Sequence, residues 1–372
     1  MATITNKNRE DIINSLKKTG VNVLNELNLG DNPNISIPLR TLSNVYFDDS
    51  DHLIKLGNKN QKRSFFNASQ SKKFMQTMLM AAQIKELLEQ NQPALSTRQL
   101  YYILKHSIPG LKENTFDDQS TESDPVIEDI EVMIDYLREQ LNLVAVPKGV
   151  MSGPITIEDL KTDDVIDYTK MGTAGGAVPP SVESDVLKIK DCSADYVLVV
   201  EKFAVWNLLN QQKYWKKNNC ILLTGKGQPA RAERRLLARF GKELDIPIYC
   251  FCDMDVYGYY IYSVYKQGSI NLAFFSEKAG TPQAKYLGFS MDDVKKFDIP
   301  RSSWIKLDKH DIKRLSEVSK YDWFKKKEWQ EELKKIKDFG YKIESDALVA
   351  KKIEFTAKEY LPYKIDNKLF LD

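Results

Sequence analysis

Three acidic side chains follow predicted strands in the second half of the chain. Asp253 and Asp255 come directly after the apolar run 246–252, and Glu201 follows an earlier apolar run. If the strands are neighbours, their carboxyl ends share one edge of a parallel sheet, and the carboxylates converge there with Lys226 beside them. Like charges raise one another's pKa, so such a set requires a cation, and Mg²⁺ suits oxygen ligands completed by water and phosphate. The sequence therefore predicts a magnesium site at this edge.

The Asp-x-Asp pattern has a second interpretation. It is also typical of a turn whose side chains cap the following helix. Glu201, at an equivalent strand end, favours the metal site, but the pattern itself leaves both interpretations open.

The loop at residues 224–229 contains the triplet Gly-Lys-Gly. This triplet is too short for a nucleotide-binding phosphate loop, because the chain has no Gly-x-x-x-x-Gly-Lys-Ser/Thr motif, and no nucleotide cofactor is predicted. The next helix carries four arginines, at positions 231, 234, 235 and 239. They could meet a phosphate backbone, with Arg234 as the candidate contact, although a solvated helix face is expected for most of them.

A second group of candidate residues lies on a short predicted helix. Ser96 and Gln99 have the spacing of a capping box, so the helix is expected to begin at Ser96. Leu100, Ile103 and Leu104 recur at helical spacing and define its predicted core face.

This periodicity turns Tyr102 roughly away from the core and places Tyr101 on the flank. Arg98, Lys105 and His106 are then expected beside Tyr102, at i−4, i+3 and i+4. A phenol loses its proton only near about pH 10, so nearby positive charge would assist it as a nucleophile and would also hold a phosphate. A packed tyrosine pair is the alternative, and the helix alone does not decide between them.

Composition limits the classes of protein without selecting one. The 372 residues include 54 basic and 52 acidic side chains, so any nucleic-acid surface must come from local clustering. The four cysteines lack Cys-x-x-Cys spacing, so no zinc site is predicted, and Cys250 and Cys252 are expected to be buried strand residues. Neither a membrane-spanning run nor a signal-peptide core is present, which predicts no membrane partner and a cytoplasmic location.

The remaining pattern predicts several domains. A helix over 9–29, interrupted near Gly20, precedes a strand-favouring segment at 35–47, and helices over 66–90, from 96 and over 126–141 suggest a winged-helix domain. From residue 195, short apolar strands alternate with helices, which favours a parallel sheet covered by helices. The predicted divisions are an N-terminal extension (1–65), a winged-helix domain (66–150), a connecting region (151–190) with a small strand pair around Ile155 and Val165, an α/β metal-binding domain (191–310), and a helical C-terminal extension (311–372).

Seven motifs together resemble the DNA-cleaving A subunits of type IIB topoisomerases, the topoisomerase VI family, and their meiotic double-strand-break relatives. The resemblance covers nearly the whole chain. The motifs are Ile-Pro-Leu-Arg-Thr-Leu-Ser-Asn-Val at 37–45, Thr-Arg-Gln-Leu-Tyr-Tyr at 97–102, Val-Leu-Val-Val-Glu-Lys at 197–202, Leu-Thr-Gly-Lys-Gly-Gln-Pro at 223–229, residues 248–258, Gly-Ser at 268–269, and Tyr-Leu-Pro-Tyr-Lys at 360–364.

The resemblance implies a multidomain α/β fold: a CAP-like winged-helix domain, then a Toprim domain with a parallel sheet, then a helical extension. It assigns Tyr102 as the nucleophile, Arg98 as a helper near the reacting phosphate, and Glu201, Asp253 and Asp255 as magnesium ligands. Tentative DNA contacts are Lys105, His106, Lys226 and Arg234. The segment 342–348 follows a Glu-rich pattern of the family only loosely, so Glu344 and Asp346 are left out of the predicted site.

The function implied is a reversible, Mg²⁺-dependent transesterification of double-stranded DNA that forms a 5′-phosphotyrosyl link. A homodimer of this chain would break both strands, and a GHKL-type ATPase B subunit would drive duplex passage in an A2B2 heterotetramer associated with the nucleoid. The alternatives are a meiotic-type transesterase for programmed breaks, another Toprim enzyme such as a primase or nuclease, and a noncatalytic DNA-binding subunit.

Overall fold

The computed structural model describes residues 6–372. These residues form two compact units, the first comprising 6–44, 57–146 and 183–186 and the second comprising 45–56, 147–182 and 187–372. No helix in this described part combines the length and the apolar composition that crossing a membrane requires.

The strands, in chain order, are β1 (Asn34–Pro38), β2 (Val45–Asp48), β3 (Leu53–Leu56), β4 (Asn60–Ser64), β5 (Leu95–Ser96), β6 (Leu143–Val144), β7 (Val150–Ser152), β8 (Ile155–Asp159), β9 (Asp164–Asp167), β10 (Gly176–Ala177), β11 (Leu187–Cys192), β12 (Tyr196–Val200), β13 (Cys220–Thr224), β14 (Ile248–Phe251), β15 (Lys285–Gly288), β16 (Ile305–Lys306) and β17 (Tyr341–Lys342). The α-helices are α1 (Asn6–Asn28), α2 (Ser71–Glu89), α3 (Thr97–Leu104), α4 (Asp124–Ile134), α5 (Phe203–Gln211), α6 (Tyr214–Lys217), α7 (Arg231–Glu243), α8 (Val256–Lys266), α9 (Ser276–Ala279), α10 (Met291–Lys296), α11 (Lys309–Val318), α12 (Lys327–Phe339) and α13 (Leu361–Asp366).

The first unit is built on helices α1 to α4, whose apolar faces share one core. The break predicted at Gly20 is wrong, since α1 continues through this residue. One glycine costs a helix only about 1 kcal/mol, and α1 buries Ile12 and Leu16 completely or nearly so.

Two predicted elements of this unit differ from those observed. Helix α4 ends at Ile134 and not near residue 141, because Asp135 adopts a left-handed conformation with a φ of 58° that terminates the helix. The apolar segment after it supplies β6, which pairs in parallel with β5, the strand that leads into α3. This pairing positions the start of the tyrosine-bearing helix.

The predicted strand segment at 35–47 forms strands of two separate sheets. Strand β1 pairs antiparallel with β4 in the first unit, and β2 pairs antiparallel with β3 in the second. Hairpin β2–β3 buries Ile54 in the core of the second unit.

The second unit contains a six-stranded sheet in the order β10-β7-β13-β12-β14-β15. Strands β13, β12, β14 and β15 are parallel, which confirms the predicted parallel arrangement. Every residue of β12 and β13 is buried, as expected for apolar strands covered on both faces. Cys250 and Cys252 are buried, as predicted.

Residues 147–192 contribute strands to two sheets. Strand β7 adds an antiparallel edge to the main sheet beside β13. Strands β8 and β9 form the predicted pair around Ile155 and Val165, and β11 extends it to three strands. Helices dominate the remainder of the chain, where Trp329 packs in the core of the unit.

Candidate active site

The register of the main sheet aligns the ends of three strands. Val199 of β12 lies opposite Leu223 of β13, and Val200 lies opposite Phe251 of β14. The next residue, Glu201, donates its backbone N–H to the Phe251 carbonyl oxygen at 3.0 Å. The predicted convergence of these strand ends at one edge is therefore confirmed, because parallel strands in register end together.

Glu201 and Asp253 are joined directly. The Glu201 Oε2 atom accepts a hydrogen bond from the backbone N–H of Asp253 at 3.0 Å. Both side chains are buried. The backbone of Asp253 thus holds the Glu201 carboxylate, and this bond fixes the spacing of the two side chains.

Asp253 has a donor on each carboxylate oxygen. Its Oδ1 accepts from the Ser345 N–H at 2.9 Å and from the Ser345 Oγ at 2.5 Å, while Lys202 Nζ lies 3.1 Å from Oδ2. Ser345 reaches this edge because Met254 and Ile343 exchange backbone hydrogen bonds. The C-terminal segment therefore supplies part of the site.

Lys202 also contacts two acidic residues of that segment. Its Nζ lies 2.5 Å from Glu344 Oε2 and 3.0 Å from Asp346 Oδ2. Burial alone lowers the pKa of Lys202, but hydrogen bonds to Glu344 and Asp346 and the charge of Asp253 outweigh it and raise the pKa above its ordinary value. The ammonium group stays charged among three carboxylates.

Asp255 is placed differently. Its Oδ1 accepts the Gly258 N–H at 2.6 Å, so Asp255 is the N-cap residue of α8. The helix-capping interpretation of Asp-x-Asp thus holds for this residue, and Asp253 makes no such cap. Asp255 still lies near enough to raise the pKa of Glu201 by its charge.

The protein environment destabilises the ionised forms of Glu201, Asp253 and Asp255. Burial, and next the charge of Asp253, raise the pKa of Glu201. Burial also raises the pKa of Asp253, against the hydrogen bonds from Ser345, and raises that of Asp255 to about 6. A cation at this edge would favour the ionised forms, since opposite charge counteracts desolvation.

The acidic side chains at this edge form only part of a metal-binding site. Across residues 6–372, no three histidine, cysteine, aspartate or glutamate side chains are arranged to hold one ion together. Mg²⁺ commonly uses one or two carboxylates and completes its shell with water and phosphate. The buried pair Glu201 and Asp253, with its raised pKa values, fits that requirement, whereas Asp255 is occupied by its cap.

Lys226 lies on the loop beside this edge. The loop is tied to the site because the Gly227 N–H donates to the Glu201 carbonyl oxygen at 2.8 Å. The exposed Lys226 side chain places its Nζ 5.1 Å from the ring centre of Phe203, which stacks on Trp206. Lys226 therefore presents its charge to solvent, on a loop whose backbone is bonded to Glu201.

The arginines of α7 do not form a solvated face. Arg231, Arg234 and Arg239 are buried, and Arg239 donates to two backbone carbonyl oxygens, those of Val182 and Leu187. Arg234 is only 2% exposed, and its Nη1 lies 3.4 Å from Ser269 Oγ. The expectation of solvated arginines is wrong for these three, and burial argues against a direct contact of Arg234 with a DNA phosphate.

The tyrosine-bearing helix α3 begins as predicted. The Ser96 side chain accepts from the Gln99 N–H, and the Gln99 side chain accepts from the Ser96 N–H, which completes the capping box. The core face differs from the prediction, because Tyr101 is buried together with Leu100 and Leu104, and Ile103 is 40% exposed.

Tyr102 is 58% exposed, which agrees with the predicted orientation. Arg98 lies beside it, with Nη2 at 3.5 Å from the hydroxyl oxygen and the guanidinium carbon 5.7 Å from the ring centre. The phenol therefore faces solvent with a cation next to it.

The other two predicted neighbours of Tyr102, Lys105 and His106, follow the end of α3. Helix α3 ends at Leu104 and Lys105 has an extended backbone, so the i+3 and i+4 positions of an ideal helix do not apply. Lys105 Nζ donates to the Tyr101 hydroxyl at 2.9 Å, and the His106 backbone bonds with Thr115. Lys105 nevertheless lies near Tyr102, since its pKa is raised mainly by the hydrogen bond to Tyr101 and in part by the charge of Tyr102. The placement of the His106 side chain beside Tyr102 stays a prediction.

The sequence interpretation missed Lys202 and Ser345 and left out Glu344 and Asp346. The one local signal was the position of Lys202 directly after Glu201. Nothing in the segment 342–348 indicates which strand edge it will approach.

Comparison with known proteins identifies the class. Residues 196–365 match the family model that describes the Toprim domain shared by the A subunit of topoisomerase 6 and Spo11, and residues 72–143 match one described as type IIB DNA topoisomerase. These matches cover the unit with the acidic edge and the helices around Tyr102.

Relatives extend the match to the full length. The chain is 45% identical to the A subunit of type 2 DNA topoisomerase 6 from Pyrococcus abyssi, over 96% of this chain and 94% of that protein. It is 43% identical to the protein of the same name from Hyperthermus butylicus, over 93% and 92% respectively. For Methanocaldococcus jannaschii the identity is 34%, over 99% and 98%. The chain belongs to the family of topoisomerase 6 A subunits, within the type IIB DNA topoisomerases.

Proposed function

We propose that this chain is the DNA-cleaving subunit of a type IIB topoisomerase and that Tyr102 is its nucleophile. The observation that carries the proposal is the exposed Tyr102 phenol with Arg98 beside its hydroxyl group, in a chain of this family. Tyr102 is preferred to Tyr101 because Tyr101 is buried, donates to the Asp117 carbonyl oxygen and accepts from Lys105.

The reaction is a reversible transesterification. The Tyr102 oxygen gives up its proton and forms a bond to a DNA phosphorus atom, while the bond from phosphorus to the 3′ oxygen breaks and that oxygen takes up a proton. Arg98 holds the phosphate and balances charge on its oxygens as they become more negative. The 5′-phosphotyrosyl link conserves the bond energy, so the released 3′-hydroxyl can reseal the strand without ATP in this subunit.

Glu201 and Asp253 are proposed to hold Mg²⁺ directly, and Asp255, whose Oδ1 caps α8, is proposed to assist through its charge. When bound, the metal supplies charge stabilisation to the phosphate and the leaving 3′ oxygen. Glu201 and Asp253 fix its position, because each is tied to the backbone or to Ser345. Lys226 is exposed near this edge and is proposed to contact a DNA phosphate.

The proposed assembly contains two copies of this chain, since both strands of a duplex must be cut. In it, Tyr102 of one copy reacts at the metal site of the other. A GHKL-type ATPase B subunit completes an A2B2 heterotetramer and drives duplex passage, in keeping with the lack of a nucleotide motif in this sequence.

The domain divisions predicted from the sequence are part of the proposal. Residues 66–150 are proposed to form a CAP-like winged-helix domain, with α2, α3 and α4 as its helices. The Toprim domain and the helical extension follow at about residues 191–310 and 311–372. The enzyme is proposed to act in the cytoplasm, on nucleoid DNA.

The proposal predicts that Tyr102→Phe abolishes covalent protein–DNA adducts without weakening DNA binding. The chain, combined with its B-type subunit, is incubated with supercoiled plasmid, ATP and Mg²⁺ and is stopped with detergent. Tyr101→Phe is the matched control and retains adducts, since the Tyr101 hydroxyl group only makes hydrogen bonds to Asp117 and Lys105. Adducts formed by the Tyr102→Phe protein, or none formed by the wild type, would overturn the proposal.

A further inference from the structure

Lys202 occupies an unusual position at the acidic edge. Its ammonium group contacts Asp253, Glu344 and Asp346 at once, and these four residues are here called the Lys202 cluster. The side chain of Asp253 is 5% exposed, whereas those of Glu344 and Asp346 are 47% and 42% exposed. The cluster thus joins one buried carboxylate to two accessible ones through a single cation.

The contact with Asp253 occupies an oxygen that the proposed metal needs. The Oδ1 atom of Asp253 already accepts two hydrogen bonds from Ser345, so Oδ2 is the atom available to an ion. Lys202 Nζ lies 3.1 Å from this same Oδ2. An ammonium group and a divalent cation cannot both approach one carboxylate oxygen closely, since they repel each other.

Lys202 can leave Asp253 without losing all its partners. Glu344 Oε2, at 2.5 Å, and Asp346 Oδ2, at 3.0 Å, are at least as close to its ammonium group as Asp253 is. Because both carboxylates already contact Nζ, a change of partner needs only side-chain rotation. The acidic pair of the C-terminal segment is therefore a second holding position for the ammonium group.

We propose that Lys202 is an internal counter-ion of the divalent-metal site: it occupies Asp253 before the cation binds, and Glu344 and Asp346 retain it once the cation has taken Asp253. This inference rests on the metal site of the proposed function. It assigns the C-terminal acidic pair to the control of metal affinity and not to metal ligation.

The proposal predicts the direction in which three sets of substitutions change metal affinity. Lys202→Met removes the competing cation and tightens metal binding. Glu344→Gln together with Asp346→Asn removes the second holding position, keeps Lys202 on Asp253 and weakens metal binding. In the Lys202→Met background the same acidic substitutions have a smaller effect, because only the through-space charge of Glu344 and Asp346 is lost and there is no ammonium group left to retain.

The experiment measures Mn²⁺ and Mg²⁺ binding to the full chain by isothermal titration calorimetry. The expected change in dissociation constant is at least about fivefold in each direction, as for one unit charge about 4 Å away in a water-like dielectric. Lys335→Met is the matched control, because Lys335 pairs only with the exposed Asp292 and should leave metal affinity unchanged. Thermal unfolding of each variant checks that the fold is kept.

Three results would overturn the inference. The first is an acidic double variant with wild-type metal affinity, a test that does not require the Lys202 variant to fold. The second is weaker binding in Lys202→Met. The third is an equal loss of affinity from the acidic substitutions with and without Lys202, which would make Glu344 and Asp346 metal ligands. If the wild type forms phosphotyrosyl adducts, any of these three results contradicts the inference about Lys202 and leaves the proposed function unchanged. If the wild type neither binds metal nor forms adducts, the inference and the proposed function are both wrong.

Discussion

Asp253 and Asp255 stand two positions apart but use their carboxylates for different contacts. Asp253 is buried and bonded to Ser345 and Lys202, whereas Asp255 caps α8 through the Gly258 N–H. Sequence spacing alone leaves the capping and metal-binding interpretations open. The structure assigns the cap to Asp255, and the charge of this residue is a separate property that can be tested.

Asp255→Asn and Asp255→Ala separate these two properties. Asparagine is as good an N-cap as aspartate, so Asp255→Asn is expected to unfold at the same urea concentration as the wild type, whereas Asp255→Ala loses about 1 kcal/mol. Because the Asp255 charge is proposed to assist metal binding, both variants are expected to lose adduct formation at limiting Mg²⁺. Full adduct formation by Asp255→Asn would show that Asp255 serves only as the cap.

At the scale of elements, α3 carries Tyr102 in the first unit, and α8 directly follows the acidic edge in the second. Helix α3 starts at a complete capping box and ends after eight residues, which exposes Tyr102 and leaves His106 outside the helix. Helix α8 starts at Asp255 and passes close to the backbone of Asp253. A Cβ atom at Gly258 would lie 2.4 Å from the Asp253 carbonyl oxygen. Glycine is required at position 258 because the Asp253 backbone approaches it closely. A left-handed conformation is not the reason, since the φ of Gly258 is not positive.

Gly258→Ala is therefore expected to displace the Asp253 backbone. The overpacking should cost roughly 1–3 kcal/mol of unfolding free energy and weaken Mn²⁺ binding measured by calorimetry. Gly20→Ala is the control, because no atom lies within 4 Å of its Cβ position in α1. That change should stabilise the helix by roughly 0.5–1 kcal/mol. A Gly258→Ala protein with wild-type stability and metal affinity would contradict the close-approach argument.

At the scale of the whole molecule, the proposed nucleophile and the acidic edge belong to different compact units. Tyr102 lies in the first unit, and Glu201 and Asp253 lie in the second. The proposed homodimer combines the tyrosine of one copy with the carboxylates of the other. A site shared by two chains can be distinguished from a site within one chain by mixing two inactive variants.

Mixing Tyr102→Phe chains with Asp253→Asn chains tests this pairing. Each variant alone should be inactive, but a mixed dimer joins the intact tyrosine of one chain to the intact carboxylates of the other. Adducts should reappear as single-strand nicks, linked only to the Asp253→Asn chain, which a size tag on one variant identifies on a denaturing gel. Continued inactivity of a mixture shown to contain mixed dimers would place both halves of the site in one chain.

The strand-ending carboxylates, the capping box at Ser96 and the outward direction of Tyr102 were determined by the sequence itself. Each depends on periodicity or spacing within one element, and the fold keeps these local signals. The parallel direction of β12, β13 and β14 also followed from alternating strands and helices, whereas their being neighbours did not. The same reasoning failed at Gly20 and at the end of α4, where packing and one left-handed residue overrode the pattern.

Only the tertiary structure decided the burial of the α7 arginines and the composition of the Lys202 cluster. Lys202 and Glu344 are 142 residues apart, and no periodicity connects them. They meet because Met254 and Ile343 pair at the sheet edge and carry Ser345 to Asp253. Contacts of this kind depend on the packing of whole elements, which is a property of the folded chain and not of any single segment.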